Sequence, residues 1–253
     1  MGAKRPLIAV LTGAGISTDS GIPDYRGPKG LWQRDPKAQE LVTIGPYLAD
    51  PEVRRRSWLM RRDVGALGAE PNAGHLALVA LERSGLPVRV LTQNVDGLHQ
   101  RSGLPERKVL ELHGTAQRVQ CVRCRVRGPM ARALERVAAG EPDPVCEECG
   151  GVLKPCTVMF GEALDPVVLD QAEAIAKACD LFVAVGTLLQ VHPVAALPQL
   201  ALEAGARLVI VNGEPTPYDP VAHEVIREPI SLALPALVRR IIAGEFAGDS
   251  GEG

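Results

Sequence analysis

Residues Thr12 to Gly27 read TGAGISTDSGIPDYRG and follow a short apolar run, Leu7 to Leu11. The run has the length and composition of a buried parallel strand. Gly13 and Gly15 then allow a sharp turn and a close backbone approach to a diphosphate. A helix expected from about Ile16 would aim its free N–H groups and positive dipole end at that anion. The spacing departs from the dinucleotide fingerprint GxGxxG, because the third glycine would fall at Thr18 and the next is Gly21. A strand followed by GxG alone leaves nucleotide binding and a merely structural tight turn equally open. Asp24, Tyr25 and Arg26 favour the first, since they put charge and an aromatic ring beside the phosphate site.

Outward from this turn, apolar runs recur at Val88–Leu91, Val109–Leu112, Leu181–Val185, Leu208–Val211 and, less clearly, Glu224–Arg227. Helical patterns at Pro71–Arg83, Pro166–Ala178 and Pro193–Ala204 separate many of them. This alternation predicts a doubly wound α/β fold whose parallel sheet is covered on both faces. Ligands of such sheets bind outside the carboxyl ends of the strands. Gly13, Gln93, His113, Gly186 and Asn212 all fall just after a strand, so they are expected to converge on one edge.

With 253 residues and 46% hydrophobic content, the chain can bury a large core. A net charge of −2 argues against bulk nucleic-acid or membrane binding. Gln190, His192, Pro193 and Pro198 interrupt the apolar region Leu181–Leu202, so no bilayer span is expected there. Lys4 and Arg5 precede too few apolar residues for a signal peptide, and the expected location is the cytoplasm. Cys121-x2-Cys124 and Cys146-x2-Cys149 are separated by 21 residues and offer four soft ligands to a closed, structural Zn²⁺ site. Arg123, Arg125 and Arg127 beside the first pair favour thiolate. Cys156 and Cys179 lack partners at metal spacing and read as small core residues.

Thr92 to His99 reads TQNVDGLH directly after a strand, ELHG follows at Glu111 to Gly114, and the CxxC pairs lie just beyond. GAGIS–GIPDYRG, TQNVDGLH, ELHG and paired CxxC, in that order, resemble the sirtuin family of NAD-dependent protein deacylases. The likeness runs from about Leu7 to Leu237. The alternation of strands and helices divides the chain into a Rossmann-like domain formed by 1–26, 71–115 and 154–243, a zinc-binding module at 116–153 that interrupts it, a helical insertion at 27–70 that begins with a Gly/Pro-containing cofactor loop, and a small, acidic, flexible tail at 244–253.

An ordinary NAD dehydrogenase would want an acidic residue at the tip of the second strand. That strand is followed here by Gln93-Asn94-Val95-Asp96. Asn94 and Asp96 suit polarisation of a ribose and a carboxamide better than hydride transfer. The resemblance implies that NAD is consumed, its nicotinamide–ribose bond breaking as an acyl-lysine carbonyl oxygen captures the ribose carbon. His113 is the natural general base, its near-neutral pKa suiting removal of a ribose hydroxyl proton. His75 is expected to begin or cap a helix, and His99, His192 and His223 to be surface or structural.

Further residues match family motifs one by one. Gly13, Ala14, Gly15, Asp24, Tyr25, Arg26 and Gln93 belong to the cofactor segments. Gly186-Thr187 resembles the GTS phosphate turn, with Leu188 in place of its serine. Asn212 and Glu214 resemble the ribose-binding pair. Glu228 stands where glycine is usual near the adenine. Val158, Phe160, Gly161 and Glu162, within KPCTVMFGE, resemble the edge that receives an extended peptide by strand addition.

Arg54, Arg55, Arg56, Arg61 and Arg62 cluster on a predicted helix, ordinarily a solvated face. In the family branch that removes succinyl groups, a tyrosine and an arginine three positions later bind the acyl carboxylate. Alignment through EPNAGH puts Trp58 and Arg61 at those places, allowing one extra residue in between. An indole is larger than a phenol and places its donor differently, so deacetylation is expected to exceed desuccinylation. The same fold also accommodates mono-ADP-ribosyl transfer or a non-catalytic NAD-sensing scaffold. Asn94, Asp96 and His113 argue against the silent alternative.

Overall fold

The computed structural model describes residues 5–24, 36–63 and 68–246. Six strands form a parallel sheet: β1 (Ile8–Thr12), β2 (Val88–Thr92), β3 (Val109–Glu111), β7 (Leu181–Val185), β8 (Arg207–Val211) and β9 (Glu224–Ile226), in the order β3-β2-β1-β7-β8-β9. The order reverses between β1 and β7, which is where doubly wound sheets open a crevice. Pairing is in step across that point: Thr12 lies opposite Thr92 on one side and Val185 on the other. The residues that follow these strands therefore emerge at one level.

Alternation along the strands divides the core in two. Ile8 and Val10 face one side, with Leu78, Leu81, Leu234 and Leu237. These come from α3 (Ala73–Arg83) and α8 (Ile230–Ile242); α1 (Ile44–Ala49) and α2 (Pro51–Asp63) precede α3 in the chain, and α4 (Leu98–Arg101), α5 (Met130–Ala138), α6 (Pro166–Ala178) and α7 (Leu197–Glu203) lie between α3 and α8. Ala9 and Leu11 face the other side, with Phe182, Ala172, Ala176 and Leu197, the last three from α6 and α7. Each fully buried Leu, Ile or Val contributes roughly 1.5–3 kcal/mol.

A second, antiparallel sheet has the order β5-β4-β6, from β4 (Gly114–Cys121), β5 (Arg127–Pro129) and β6 (Leu153–Thr157). Trp58, on α2, is fully buried in its core with Val119, Cys121, Met130, Ala133, Val137, Cys146 and Leu153. Arg54 adds a polar tie, donating through Nε to Asp143 Oδ2 at 2.9 Å and through Nη1 to the carbonyl of Leu48 at 3.0 Å. Helix α2 and the antiparallel sheet thus share one core.

Three local readings differ from expectation. After Gly13 the chain makes a 3₁₀ turn, Ala14–Ser20, ended by left-handed Gly21, instead of an α-helix from Ile16. Asn72 explains the tightness: its Nδ2 donates to the Ile16 carbonyl and to Ser20 Oγ, tying the turn to the start of α3. The helix expected over Pro193–Ala204 is a 3₁₀ turn, Val194–Ala196, followed by α7. Cys156, expected in the core, is only half-buried on β6, whereas Cys179 is buried. No helix of the described residues is long and apolar enough to cross a membrane.

Candidate active site and metal centre

The glycine turn is built by mutual close approach. Gly13 N–H donates to the Val185 carbonyl and Gly15 N–H to that of Gly186, both at 2.9 Å. A Cβ on Gly15 would lie 2.7 Å from Gly186 Cα, and one on Gly186 would lie 2.5 Å from Ile16 N. Gly186 also has a φ of 62°, which disfavours any side chain. These glycines let β1 and β7 end side by side at the wall of the crevice.

Polar groups from the β2 end then lock onto this turn. Asn94 Nδ2 donates to the Gly13 carbonyl and to Ser17 Oγ, each at 3.1 Å. Ser17 Oγ donates in turn to Asp96 Oδ2 at 2.8 Å, and Leu98 N–H donates to Asp96 Oδ1 at 2.9 Å. Gln93 Nε2 reaches across β1 to Thr187 Oγ1 at 2.9 Å. Asn94 and Asp96 are more than nine-tenths buried, so their orientations are held by the protein.

His113 follows β3. Its Nδ1 lies 3.0 Å from the Gln93 carbonyl, and a carbonyl only accepts, so Nδ1 carries the proton. In the neutral ring Nε2 is then the acceptor. Burial pushes the pKa below the usual histidine value, and the bond to Gln93 opposes that shift. His113 is therefore neutral and basic at Nε2 near pH 7. Its own carbonyl accepts from Val158 N–H at 2.8 Å, joining the base to the segment Val158–Glu162.

A cavity of about 790 Å³ runs along this edge. It is lined by Gly13, Ala14, Gly15, Asp24, Gln93, Asn94, Asp96, His113, Gly186, Thr187, Asn212 and Glu214, and also by Val158, Phe160, Gly161, Glu162 and Arg61. Leu188 and Glu228, the two departures, line it as well. Tyr25 and Arg26 lie outside the described residues. Trp58 corrects the reading of it as a substrate contact: it is fully buried in the core shared by the two insertions and does not line the cavity. The indole packs instead against Val119, Met130, Val137 and Leu153, which bury its whole surface.

Ser17, Gln117 and Arg227 line the cavity too, and residue-by-residue reading missed them. Ser17 stood within the GAGIS motif. Gln117 Nε2 donates to the Asp96 carbonyl at 3.0 Å, a pairing that only the fold creates. Arg227 Nη1 donates to the carbonyls of Asn212 and Glu214 at 2.6 and 2.9 Å, and its Nη2 pairs with Asp219, bracing the loop after β8.

The segment Val158–Glu162 is not itself a strand. Val158 N–H is taken by His113, Met159 N–H by Glu162 Oε2 at 2.9 Å, and Phe160 N–H by the Val42 carbonyl at 2.9 Å. Much of the hydrogen-bonding edge expected for a peptide is thus consumed within the chain.

The sulfur atoms of Cys121, Cys124, Cys146 and Cys149 lie within 4.8 Å of one another, with Cys121–Cys149 at 3.5 Å and Cys124–Cys146 at 3.6 Å. A Zn–S bond of about 2.3 Å implies tetrahedral S···S edges of about 3.8 Å, close to those separations and far from a disulfide bond. The two knuckles match in backbone. Arg125 and Gly150, each following its second cysteine, are left-handed, and each donates its N–H to the carbonyl of its first cysteine. Four thiols and no open position suit a structural Zn²⁺.

Among known proteins, the Sir2 family model matches residues 13–193. NAD-dependent protein deacetylase 2 of Streptomyces coelicolor is 68% identical over 235 residues, covering 93% of this chain and 98% of its own length. An NAD-dependent protein deacetylase of Thermodesulfovibrio yellowstonii is 39% identical, covering 96% and 93%. A solved Sir2 structure with deacetylated p53 peptide and 3′-O-acetyl ADP-ribose superposes with a TM-score of 0.85 at 34% identity, covering 97% of this chain and 96% of the other. A Sir2 structure with a propionylated peptide gives 0.82 at 32% identity, covering 97% and 95%. The glycine turn, the buried Asn94–Asp96 constellation, His113 and the four-sulfur cluster therefore belong to one known architecture, and the chain is a member of the Sir2 family.

Proposed function

We propose that this chain is an NAD-dependent protein-lysine deacetylase that consumes NAD and yields nicotinamide, deacylated lysine and O-acetyl-ADP-ribose. The observation that carries the mechanism is the His113–Gln93 bond, which fixes Nε2 as a base within the cavity that Asn94 and Asp96 also line. The cavity fits the cofactor in kind: closely packed glycine turns that line it at the β1 and β7 ends for a diphosphate, Asn212 and Glu214 after β8 for a ribose, and Asn94 with Asp96 for the nicotinamide end. Bound NAD supplies a ribose carbon that becomes electrophilic as its bond to nicotinamide breaks. Asn94 and Asp96 hold that end in a site shielded from water, and His113 Nε2 accepts a ribose hydroxyl proton. The four cysteines hold Zn²⁺ away from the chemistry.

The acyl-lysine partner enters as an extended peptide beside the segment Val158–Glu162, received by the shape of that turn, since the N–H groups of Val158, Met159 and Phe160 are already bound within the chain. We also read the division into Rossmann-like domain, helical insertion and zinc module in this way, with a cytoplasmic location and neither nucleic acid nor membrane as partner; the expected flexible tail is corrected at its start, since Phe246 is buried in the core of the Rossmann-like domain, and its remainder lies outside the described residues. Arg61 lines the cavity and favours a second, minor activity on acidic acyl groups, pairing with a carboxylate. With Trp58 committed to the core, deacetylation dominates. The test incubates the protein with NAD and peptides carrying acetyl- or succinyl-lysine, following peptide mass and nicotinamide. Equal release of nicotinamide and deacetylated peptide is expected. ADP-ribosylated peptide, NADH or no turnover would overturn the reading, and faster succinyl removal, lost in Arg61→Met, would reverse the acyl preference.

A further inference from the structure

The turn Val158–Glu162 holds its shape through an ion pair that reaches back into the zinc-bearing sheet. Lys154, on β6, donates from Nζ to the Thr157 carbonyl at 3.0 Å and pairs with Glu162 Oε2 at 2.9 Å. The same Glu162 oxygen accepts from Met159 N–H at 2.9 Å, and Glu162 N–H donates to the Met159 carbonyl at 3.0 Å. The side chains are only 13% and 26% exposed, so the pair is largely shielded from water. Gly161, at φ 88°, lets the chain turn so tightly.

The two ends of the turn are fixed by other parts of the molecule. Val158 N–H is bound to the His113 carbonyl, while Phe160 exchanges hydrogen bonds with Val42 and Ile44 of the helical insertion. Between these anchors, the clasp of Lys154 and Glu162 is what sets the backbone at Met159 and Gly161. Thr157, Val158, Met159, Phe160 and Gly161 all line the cavity.

We propose that Lys154 and Glu162 are positioning residues for the substrate peptide: their ion pair sets the shape of the turn that receives it, and Glu162 acts through that turn, not by touching the peptide. A carboxylate left alone at the cavity wall would turn toward water or toward a cation on the substrate. Lys154 neutralises it and keeps its acceptor oxygen on Met159. Peptide affinity then depends on a residue remote from the reacting atoms.

This inference rests on the deacetylase reading, which turnover by the unmodified enzyme tests separately. Lys154→Met, Glu162→Gln and the double variant are compared by steady-state kinetics, by anisotropy of a labelled acetyl-lysine peptide, and by calorimetric binding of ADP-ribose. Lys154→Met should raise peptide KM and Kd about five- to tenfold, with ADP-ribose affinity within twofold of the unmodified enzyme. Glu162→Gln keeps an acceptor for Met159 N–H and should lose about two- to threefold. The double variant should be no worse than Lys154→Met, because both single changes remove the same ion pair. Unchanged peptide affinity in Lys154→Met, additive losses, or a parallel fall in ADP-ribose binding would each overturn the proposal.

Discussion

A single hydrogen bond decides the chemistry of His113. Because the Gln93 carbonyl holds the Nδ1 proton, the ring presents a basic Nε2 without help from a carboxylate. His113→Ala should lower deacetylation by about 10²–10⁴, the range for a positioned general base, while ADP-ribose binding and melting temperature stay near their original values. Near-normal turnover would refute the assignment. Burial lowers this pKa, so the acid limb of kcat/KM should lie below the ordinary histidine value of about 6.5. A limb above neutrality would place the base elsewhere. The same scale decides where Trp58 lies. A family alignment aims a side chain by its neighbours in sequence, whereas its burial is decided by what packs against its helix.

At the scale of elements, the β1 and β7 turns depend on glycines packed against each other. Gly186→Ala puts a Cβ 2.5 Å from Ile16 N in a left-handed residue, so ADP-ribose affinity should fall at least tenfold and the melting temperature should drop. Retained affinity would show that the turn tolerates displacement. The zinc knuckles make a second case. Cys146→Ala removes one of four clustered ligands, and metal binding is folding free energy in such modules. Metal analysis should find about one zinc per active chain, and the variant should lose zinc, protease resistance and activity together. Full activity without zinc would disprove the structural role.

The whole molecule couples these parts through shared interiors. Trp58 ties the helical insertion to the zinc-bearing sheet, so Trp58→Ala should cost roughly 3–5 kcal/mol and make both segments susceptible to proteolysis at once. Cleavage of only one would show that they are independent. Below the glycine turn lie two buried histidines with ring centroids 5.0 Å apart. His75 accepts from Asn72 N–H at the start of α3, and His99 Nε2 meets Thr12 Oγ1. Burial lowers their pKa values to about 4 and about 3, against opposition from Asp96 at His75 and with a further push from His75 at His99. The unfolded chain takes up these protons below about pH 6.5, so the folded state binds fewer, and stability present above that pH is lost as pH falls toward 4. Each histidine adds a slope of up to about 1.4 kcal/mol per pH unit. Denaturation midpoints between pH 7.5 and 5 should show the decline, and a flat profile would contradict it.

Much of this was legible in the chain itself. Apolar runs of strand length located β1, β2, β7 and β8 clearly, because a strand buried on both faces is mostly apolar; the edge strand β9, only half-buried and carrying Glu224, was less clear. Their alternation with helices placed Gly13, Gln93, His113, Gly186 and Asn212 at one edge, and the cysteine spacing announced a four-sulfur site. Such features are local, written in residues close together in sequence. Whatever depends on distant partners required the tertiary structure. Asn72 tightens the turn after Gly13, Lys154 clasps the turn ending at Glu162, Gln117 meets the Asp96 loop, and Trp58 leaves the cavity for the core. In each, packing and hydrogen bonding between separate segments outweigh what the neighbouring residues favour alone.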